Sequence, residues 1–230
     1  MTTTKTMIWM NIKGNRQAKS LDVFQFYNSL TIIQYKTMAN PTKWSIDQAH
    51  SEITFKVRHL MISNVKGAFK IFDASIHTTD KDFMTAEIDL WIDTGSISTS
   101  DVARDEHLRS ADFFNVEEYK QISFVGSTIG ESDRTGNRDL WGELTMKGIT
   151  KNVRLTVQFG GIVRDPWGNE KAGFTISGKF NRSDWGLVWN AAMETGGVVV
   201  GDEIAILCEL ELTNVGQVPE VMVLESLVQD

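Results

Sequence analysis

The sequence predicts an all-β protein in which about eight antiparallel strands form a barrel or a sandwich and one short helix interrupts them. Three observations support this fold class: apolar and polar residues alternate in repeated segments, short polar turns separate these segments, and one stretch has helical spacing instead. Each predicted strand has one apolar face, and the connections are short enough to join antiparallel neighbours. The strand pattern alone does not choose between a barrel and a sandwich.

The strand prediction depends on segments with a period of two. In the first segment Ile53, Phe55 and Val57 are apolar and their neighbours are polar or charged. The same period recurs in residues 84–93, 152–159, 174–180 and 204–212, and further strands are predicted near 65–76, 121–129 and 140–146. Turn sequences lie between them at 133–137, 147–148 and 165–169.

Residues 101–114, DVARDEHLRSADFF, have the pattern of a polar helical insert. Asp101 is of a type that caps helix N-termini. The residues that share one face at helical spacing are Arg104, His107, Leu108 and Ala111. Asp105 lies four residues before Arg109 and is expected to pair with it. Two interpretations stay open: a polar site carried by this helix, or a solvated helix whose polar side chains only fix its position.

Composition and charge narrow the function. Hydrophobic residues make up 41% and charged residues 23%, which is typical of a domain with a sizeable core. The net charge of −7 argues against nucleic acid, and against an anionic membrane surface as the main partner. Cys208 is a lone cysteine, and no Cys/His cluster has zinc spacing, so we expect neither a disulfide nor a metal nor another cofactor. No nucleophile-elbow serine or His-Glu-x-x-His motif indicates an enzyme.

The chain divides into three parts. Residues 1–37 do not share the strand pattern and are expected to be an extension outside the core, either an upstream segment before a native start at Met38 or a docking arm. Their apolar runs are too short for a signal peptide or a membrane span, so the expected compartment is the cytoplasm, or the periplasm if the true N-terminus differs. Residues 38–214 are predicted to form one domain, and residues 215–230 a tail.

The tail has helical spacing after Pro219, with Val221, Leu224 and Val228 on one stripe. Such a stripe needs a partner surface, which is either the protein's own barrel or a second subunit. A homodimer is the assembly we expect.

The inward faces mix large and small residues. Phenylalanines recur at inward positions, and Gly67, Ala86, Gly126 and Gly178 interrupt them. Such a mixture fills the taper of a solid barrel, or it leaves a narrow tunnel along the axis. The sequence pattern leaves both interpretations open.

From Lys43 to about Thr213 the sequence resembles the YceI-like family of lipid- or polyisoprenoid-binding proteins. The motifs that carry the resemblance are Trp44-Ser45-Ile46-Asp47, His50-Ser51, Val65-x-Gly67-x-Phe69, Arg104-Asp105-x-His107-Leu108-Arg109, Asp112-Phe113-Phe114, Gly142-x-Leu144-Thr145 and Arg182-x-x-Trp185-Gly186-Leu187. Each motif alone is weak, and their ordered series is specific. Trp185 stands where phenylalanine is typical of the family.

The resemblance implies an eight-stranded antiparallel lipocalin-like β-barrel with a short helical insert, and therefore selects the barrel. It also implies a hydrophobic tunnel for a long isoprenoid lipid, either a polyprenyl diphosphate or a polyprenyl quinone, with the protein acting as carrier, reservoir or protector. The residues expected to line this tunnel are Phe55, Val57, Phe69, Phe113, Phe114, Phe124, Leu144, Val157, Phe159, Phe174, Ile176, Phe180, Trp185 and Ile206.

A polar head group needs hydrogen-bond donors at one mouth of such a tunnel. The residues expected there are His50, His59, Arg104, Asp105 and His107. The alternative is that these residues only anchor the helix as a lid. Two other functions stay open: an enzyme that acts on an isoprenoid lipid through the same polar residues, and a structural barrel with a filled core.

Overall fold

The structure is a computed structural model that describes residues 41–131, 133–192 and 197–217. These residues form eleven β-strands and one α-helix. The strands are β1 (Pro41–Ile46), β2 (Glu52–His59), β3 (Ser63–Phe69), β4 (Phe72–Thr79), β5 (Asp82–Asp93), β6 (Ile97–Ser98), β7 (Gln121–Ile129), β8 (Asn137–Met146), β9 (Ile149–Arg164), β10 (Glu170–Asn181) and β11 (Val200–Gln217), and the helix α1 is Val102–Arg109. The predicted extension 1–37 and most of the predicted tail lie outside the described residues.

Eight strands close into a barrel. They pair antiparallel in the order β1-β4-β5-β7-β8-β9-β10-β11, and β1 also pairs with β11. Closure is visible at Thr42, which lies opposite Thr78 of β4 on one side and Gln217 of β11 on the other. The predicted eight-stranded antiparallel barrel is therefore confirmed, and the alternative of a sandwich is excluded.

Three further strands widen one side of this barrel. The long strand β11 pairs with β2 along its first half and with β1 near its end. β3 then pairs with β2, and β6 with β3. The sequence predicted one strand over 65–76, and the structure has two, because Phe69 and Phe72 are both buried. Residues three apart lie on opposite faces of an unbroken strand, so the chain breaks at Lys70 and Ile71 to bury both rings.

The helix lies where the sequence predicted it. The Asp101 side chain accepts a hydrogen bond from the backbone N–H of Arg104 and caps the N-terminus. At the other terminus Ser110 donates its backbone N–H to the carbonyl of His107. Within the described residues no helix is both long and apolar enough to span a membrane.

The two ends of the barrel differ. At the turn end, short connections join β4 to β5, β7 to β8 and β9 to β10. The helix end carries α1, the β2–β3 turn at residues 60–62, the β8–β9 turn at 147–148 and the segment 182–192. These names are used below.

Candidate functional site

The interior of the barrel holds a cavity of about 220 Å³. A single water needs only about 10–15 Å³ of such space, so the cavity is many times larger than a packing defect. The barrel is therefore hollow, and the filled-core alternative does not describe it.

The wall of the cavity is apolar. Apart from Thr54 and Arg182, every described residue that lines it is a hydrophobic one. The Thr54 hydroxyl donates to the carbonyl of Leu207, and the Arg182 guanidinium also donates to backbone carbonyls, so neither polar group needs a partner inside the cavity. A polar ligand group would lose its water there and find no partner, which is costly. A hydrocarbon chain meets no such penalty.

Glycines make room for this space by letting phenylalanine rings lie against the wall. A Cβ at Gly142 would come within 2.5 Å of the Phe124 ring, and one at Gly126 within 2.7 Å. A Cβ at Gly67 would likewise come within 2.4 Å of the Phe55 ring. The mixture of large and small residues in the sequence therefore produces flat-lying rings around an open centre.

Aromatic rings fill the turn end of the barrel. The Phe83 ring centroid lies 4.9 Å from Trp44, 4.8 Å from Phe174 and 5.6 Å from Phe159. Trp44 is fully buried, and its indole N–H donates to the Thr78 hydroxyl. The helix end carries a second group of rings on α1 and the segments after it, where the Phe113 ring centroid lies 5.0 Å from His107 and 5.2 Å from Trp189.

Four side chains of α1 and the segments after it line the cavity at the helix end: Leu108 of α1, Phe113 and Phe114 after it, and Leu187. The Lys147 ammonium donates to the carbonyl of Phe113 at 2.6 Å and ties this cover to the β8–β9 turn. The helix end is thus closed by a short segment rather than by paired strands.

Twelve of the fourteen predicted tunnel residues line the cavity, and Phe159 and Trp185 do not. Phe159 is 42% exposed and packs outside Phe83 and Phe174, because its position on β9 lies close to the turn end. Trp185 is buried behind the wall, where its ring contacts Phe180 and its indole N–H donates to the carbonyl of Leu144. Strand alternation gives the face of a residue but not its depth along the barrel axis.

None of the five predicted head-group residues lines the cavity. The buried Asp105 carboxylate accepts hydrogen bonds from the backbone N–H and the hydroxyl of Thr99, at 2.7 and 2.5 Å. Arg104 donates to the hydroxyl and the carbonyl of the same threonine. The predicted Asp105–Arg109 pair is wrong, because Arg109 donates to the carbonyls of Gly95 and Ile97.

The three histidines lie in different surroundings. His107 Nε2 is 2.9 Å from an Asp112 carboxylate oxygen, and its ring lies edge-on to Trp189. His59 ends β2 opposite Val200, also at the helix end. His50 lies on a surface turn near Glu211, further along β11. The structure therefore brings four of the five residues to the helix end and leaves His50 apart, and their role toward a head group stays a prediction.

The polar cluster around His50 is an ion-pair network. Asp47, His50 and Glu211 have ligand atoms within 4.8 Å of one another, as a metal site would require. The Lys171 ammonium, however, donates to Asp47 and lies 3.2 Å from Glu211. This hydrogen bond lowers the pKa of Asp47 from 3.8 to about 2, and the pKa of Lys171 is raised. The two carboxylates thus already have a cation.

Arg182 is a wall residue that sequence reasoning missed. It is buried, and it donates to the carbonyls of Gly201, Leu187 and Val200. Burial lowers the pKa of its guanidinium. These bonds fix the start of β11 next to the segment after β10. The one signal in the sequence was its place in the Arg-x-x-Trp-Gly motif.

Comparison with known proteins gives consistent matches. The family described as "YceI-like domain" matches residues 44–212. The UPF0312 protein SAS2572 of Staphylococcus aureus is 37% identical over 173 residues, which are 75% of this chain and 98% of that protein. The crystal structure of the Campylobacter jejuni YCEI protein is 33% identical, with a TM-score of 0.57 over 73% of this chain and 95% of that one. A polyisoprenoid binding domain from Saccharophagus degradans, implicated in plant cell wall breakdown, is 15% identical, with a TM-score of 0.54 over 74% and 98%.

Proposed function

The chain belongs to the YceI-like family, and from this premise we propose that it binds a long isoprenoid lipid, a polyprenyl diphosphate or a polyprenyl quinone, in the cavity of its barrel as a carrier, reservoir or protector. The observation that carries the proposal is the apolar cavity itself. Each methylene that leaves water for such a wall contributes about 0.8 kcal/mol.

The shape of the cavity favours a narrow chain. Its lining runs from Phe83 and Phe174 near the turn end to Leu108 and Leu187 at the helix end, so the space extends along the barrel axis. The Saccharophagus degradans neighbour is described as a polyisoprenoid binding domain, which makes an isoprenoid the first ligand to test, while its 15% identity supports the fold alone.

The same wall supports one orientation of the proposed ligand. Since the hydroxyl of Thr54 and the guanidinium of Arg182 already have backbone partners, the cavity provides for the tail alone. The head group then stays at the helix end, where His59 and His107 supply polar atoms.

Binding rather than catalysis is the activity we propose. Among the described residues that line the cavity, the titratable side chains are Arg182 and Cys208. Burial raises the pKa of the Cys208 thiol to about 12, so it does not form the thiolate that a nucleophile needs. An arginine held by three carbonyls is not a general base.

The test is a chain-length series. The full-length chain is stripped of bound lipid by an organic wash and refolded. It is then titrated with geranyl, farnesyl and geranylgeranyl alcohols, and the diphosphates of the same three chains are used to compare head groups. Each isoprene unit that enters the cavity should tighten binding by at least about tenfold until the cavity is full. Affinity that depends on the head group and not on the length of the tail would contradict the proposal. Turnover of a diphosphate would instead support the alternative that the protein is an enzyme.

A further inference from the structure

The β2–β3 turn carries exposed apolar side chains at the helix end. Met61 is 53% exposed and Ile62 is 79% exposed. The backbone N–H of Leu60 donates to the carbonyl of Val199 at 2.8 Å, which holds this turn beside the exposed Val198. Met61, Ile62 and Val198 are called the apolar tip below.

The backbone of this turn is unfavourable for the residues it contains. Leu60 and Met61 have φ values of 50° and 59°, in the left-handed region. Turn positions with a positive φ normally carry asparagine, aspartate or glycine, because other side chains are strained there. Large apolar side chains are thus present where both strain and exposure to water oppose them.

A basic face adjoins the apolar tip. Lys56 and Arg58 are exposed on β2, and Lys66 of β3 lies directly opposite Lys56. Like charges in this position destabilise a strand pair. None of the three forms an ion pair with a described residue. On neighbouring β11, Asp202 accepts hydrogen bonds from Ser183, and Glu203 pairs with Lys179. The basic face is Lys56, Arg58 and Lys66.

Both features lie on the strands that also form the cavity wall. Val57, between the two basic residues of β2, points inward and lines the cavity, and so does Val200, opposite His59. The apolar tip is therefore at the rim of the cavity, at the end covered by α1 and the segments after it.

We propose that the apolar tip and the basic face dock on an anionic lipid bilayer and bring the helix end of the cavity to the phase that supplies its ligand. Apolar side chains beside basic ones are the combination that binds such a surface. The net charge of −7 opposes approach at long range, but charges more than about 8–10 Å away are screened at physiological salt, so the local cations decide the contact. The inference rests on the proposed function, since it needs a lipid ligand.

The test is co-sedimentation of the full-length chain with phosphatidylcholine vesicles, with and without phosphatidylglycerol. The wild-type chain should bind the mixed vesicles, and binding should weaken as salt is added. Met61→Asn with Ile62→Ser should reduce the partition coefficient by about tenfold or more, and Lys56→Gln with Lys66→Gln likewise. Because these changes relieve strain and like-charge repulsion, neither variant should melt earlier than wild type.

Matched controls make the same chemical changes elsewhere. Trp167 is 84% exposed at the turn end, and Lys43 is exposed on β1. Trp167→Ser and Lys43→Gln should bind vesicles as wild type does. An equal loss in the controls, or no binding by the wild-type chain, would overturn the docking proposal. A dimer would also overturn it, if sedimentation velocity shows that the wild-type chain dimerises and that only the changes at Met61 and Ile62 dissociate the dimer. A second copy of the chain would then cover the apolar tip.

Lipid content separates this proposal from the proposed function. Each variant is extracted with organic solvent, and lipid per folded molecule is measured by mass spectrometry. Variants that lose vesicle binding and keep their lipid support docking. If the wild-type protein sediments with vesicles but never retains lipid, the proposal that the cavity binds lipid is wrong. The proposal that docking supplies the cavity with its ligand is then wrong as well.

Discussion

The Asp105 carboxylate of α1 accepts two hydrogen bonds from Thr99, one from its backbone N–H and one from its hydroxyl. Arg104, the preceding residue, donates to the hydroxyl and carbonyl of the same threonine. Thr99, which precedes the helix, is thus held at its backbone N–H, its hydroxyl and its carbonyl by two consecutive side chains of α1. These bonds hold α1 against the segment before it, as the alternative of an anchoring lid requires, and they favour that alternative over a head-group role.

The first prediction concerns this anchor. Asp105→Ala should lower the free energy of unfolding by about 2–3 kcal/mol, because it leaves buried donors of Thr99 without an acceptor. Asp112→Ala is the control, since Asp112 is an exposed acid nearby whose carboxylate pairs with His107. Urea unfolding monitored by tryptophan fluorescence measures both. Equal losses in the two variants would show that Asp105 is not an anchor.

The second prediction separates anchoring from head-group binding at Arg104. Since its guanidinium is already used by Thr99, Arg104→Ala should lower the melting temperature and leave lipid per folded molecule unchanged. A head-group role predicts the opposite: the variant stays stable, and its affinity for lipid falls by the value of a charge-assisted hydrogen bond, about 1.5–3 kcal/mol. Arg104→Lys should then partly restore the binding of a diphosphate lipid, because the charge is kept. Extraction and melting of the same samples decide between them.

The third prediction concerns stability in acid. The pKa of Asp47 is about 2 in the folded protein, below its ordinary 3.8, because Lys171 donates to it. This pair therefore stabilises the fold fully above about pH 4, and its contribution, at most about 2.5 kcal/mol, is lost as the pH falls toward 2. In Lys171→Met that part of the acid dependence should disappear. Lys179→Met, which removes an exposed pair with Glu203, should leave it unchanged. Chemical unfolding at pH 5, 4 and 3 measures the difference, and identical slopes in both variants would contradict the assignment.

The fourth prediction concerns the strained turn. Met61→Gly should raise the free energy of unfolding by about 1 kcal/mol, because glycine adopts a positive φ without steric cost. Ile62→Gly, one residue on and outside the left-handed region, should not stabilise the protein. A destabilised Met61→Gly variant would mean that the Met61 side chain packs on something that its exposure does not reveal.

Much of the fold could be predicted because a period of two fixes which residues face inward. Ile53, Phe55 and Val57 all do. The alternation does not report where a strand must break, and the break between Phe69 and Phe72 follows from burying both rings. It does not report depth either, which is why Phe159 was placed in the tunnel.

The site was harder to predict, because its features depend on packing rather than on pattern. Whether the barrel is hollow follows from how rings such as Phe124 lie against Gly142, and that needs coordinates. The partners of Asp105 and Arg104 could not be predicted either, since Thr99 lies before the helix and outside its spacing pattern. Motif spacing identified Arg104 and Asp105 as candidate site residues, and the structure shows that both contact Thr99.

The central claim is that lipid occupies the cavity, and one pair of substitutions tests it most directly. Phe124 lies inside the cavity, pressed against Gly126 and Gly142, so the larger ring of Phe124→Trp must extend into the open space. Phe159→Trp makes the same change at the turn end, outside the cavity. Mass spectrometry of organic extracts should find isoprenoid lipid in the wild-type chain and in Phe159→Trp, and much less per folded molecule in Phe124→Trp. Equal lipid in all three proteins, or none in the wild type, would contradict the account.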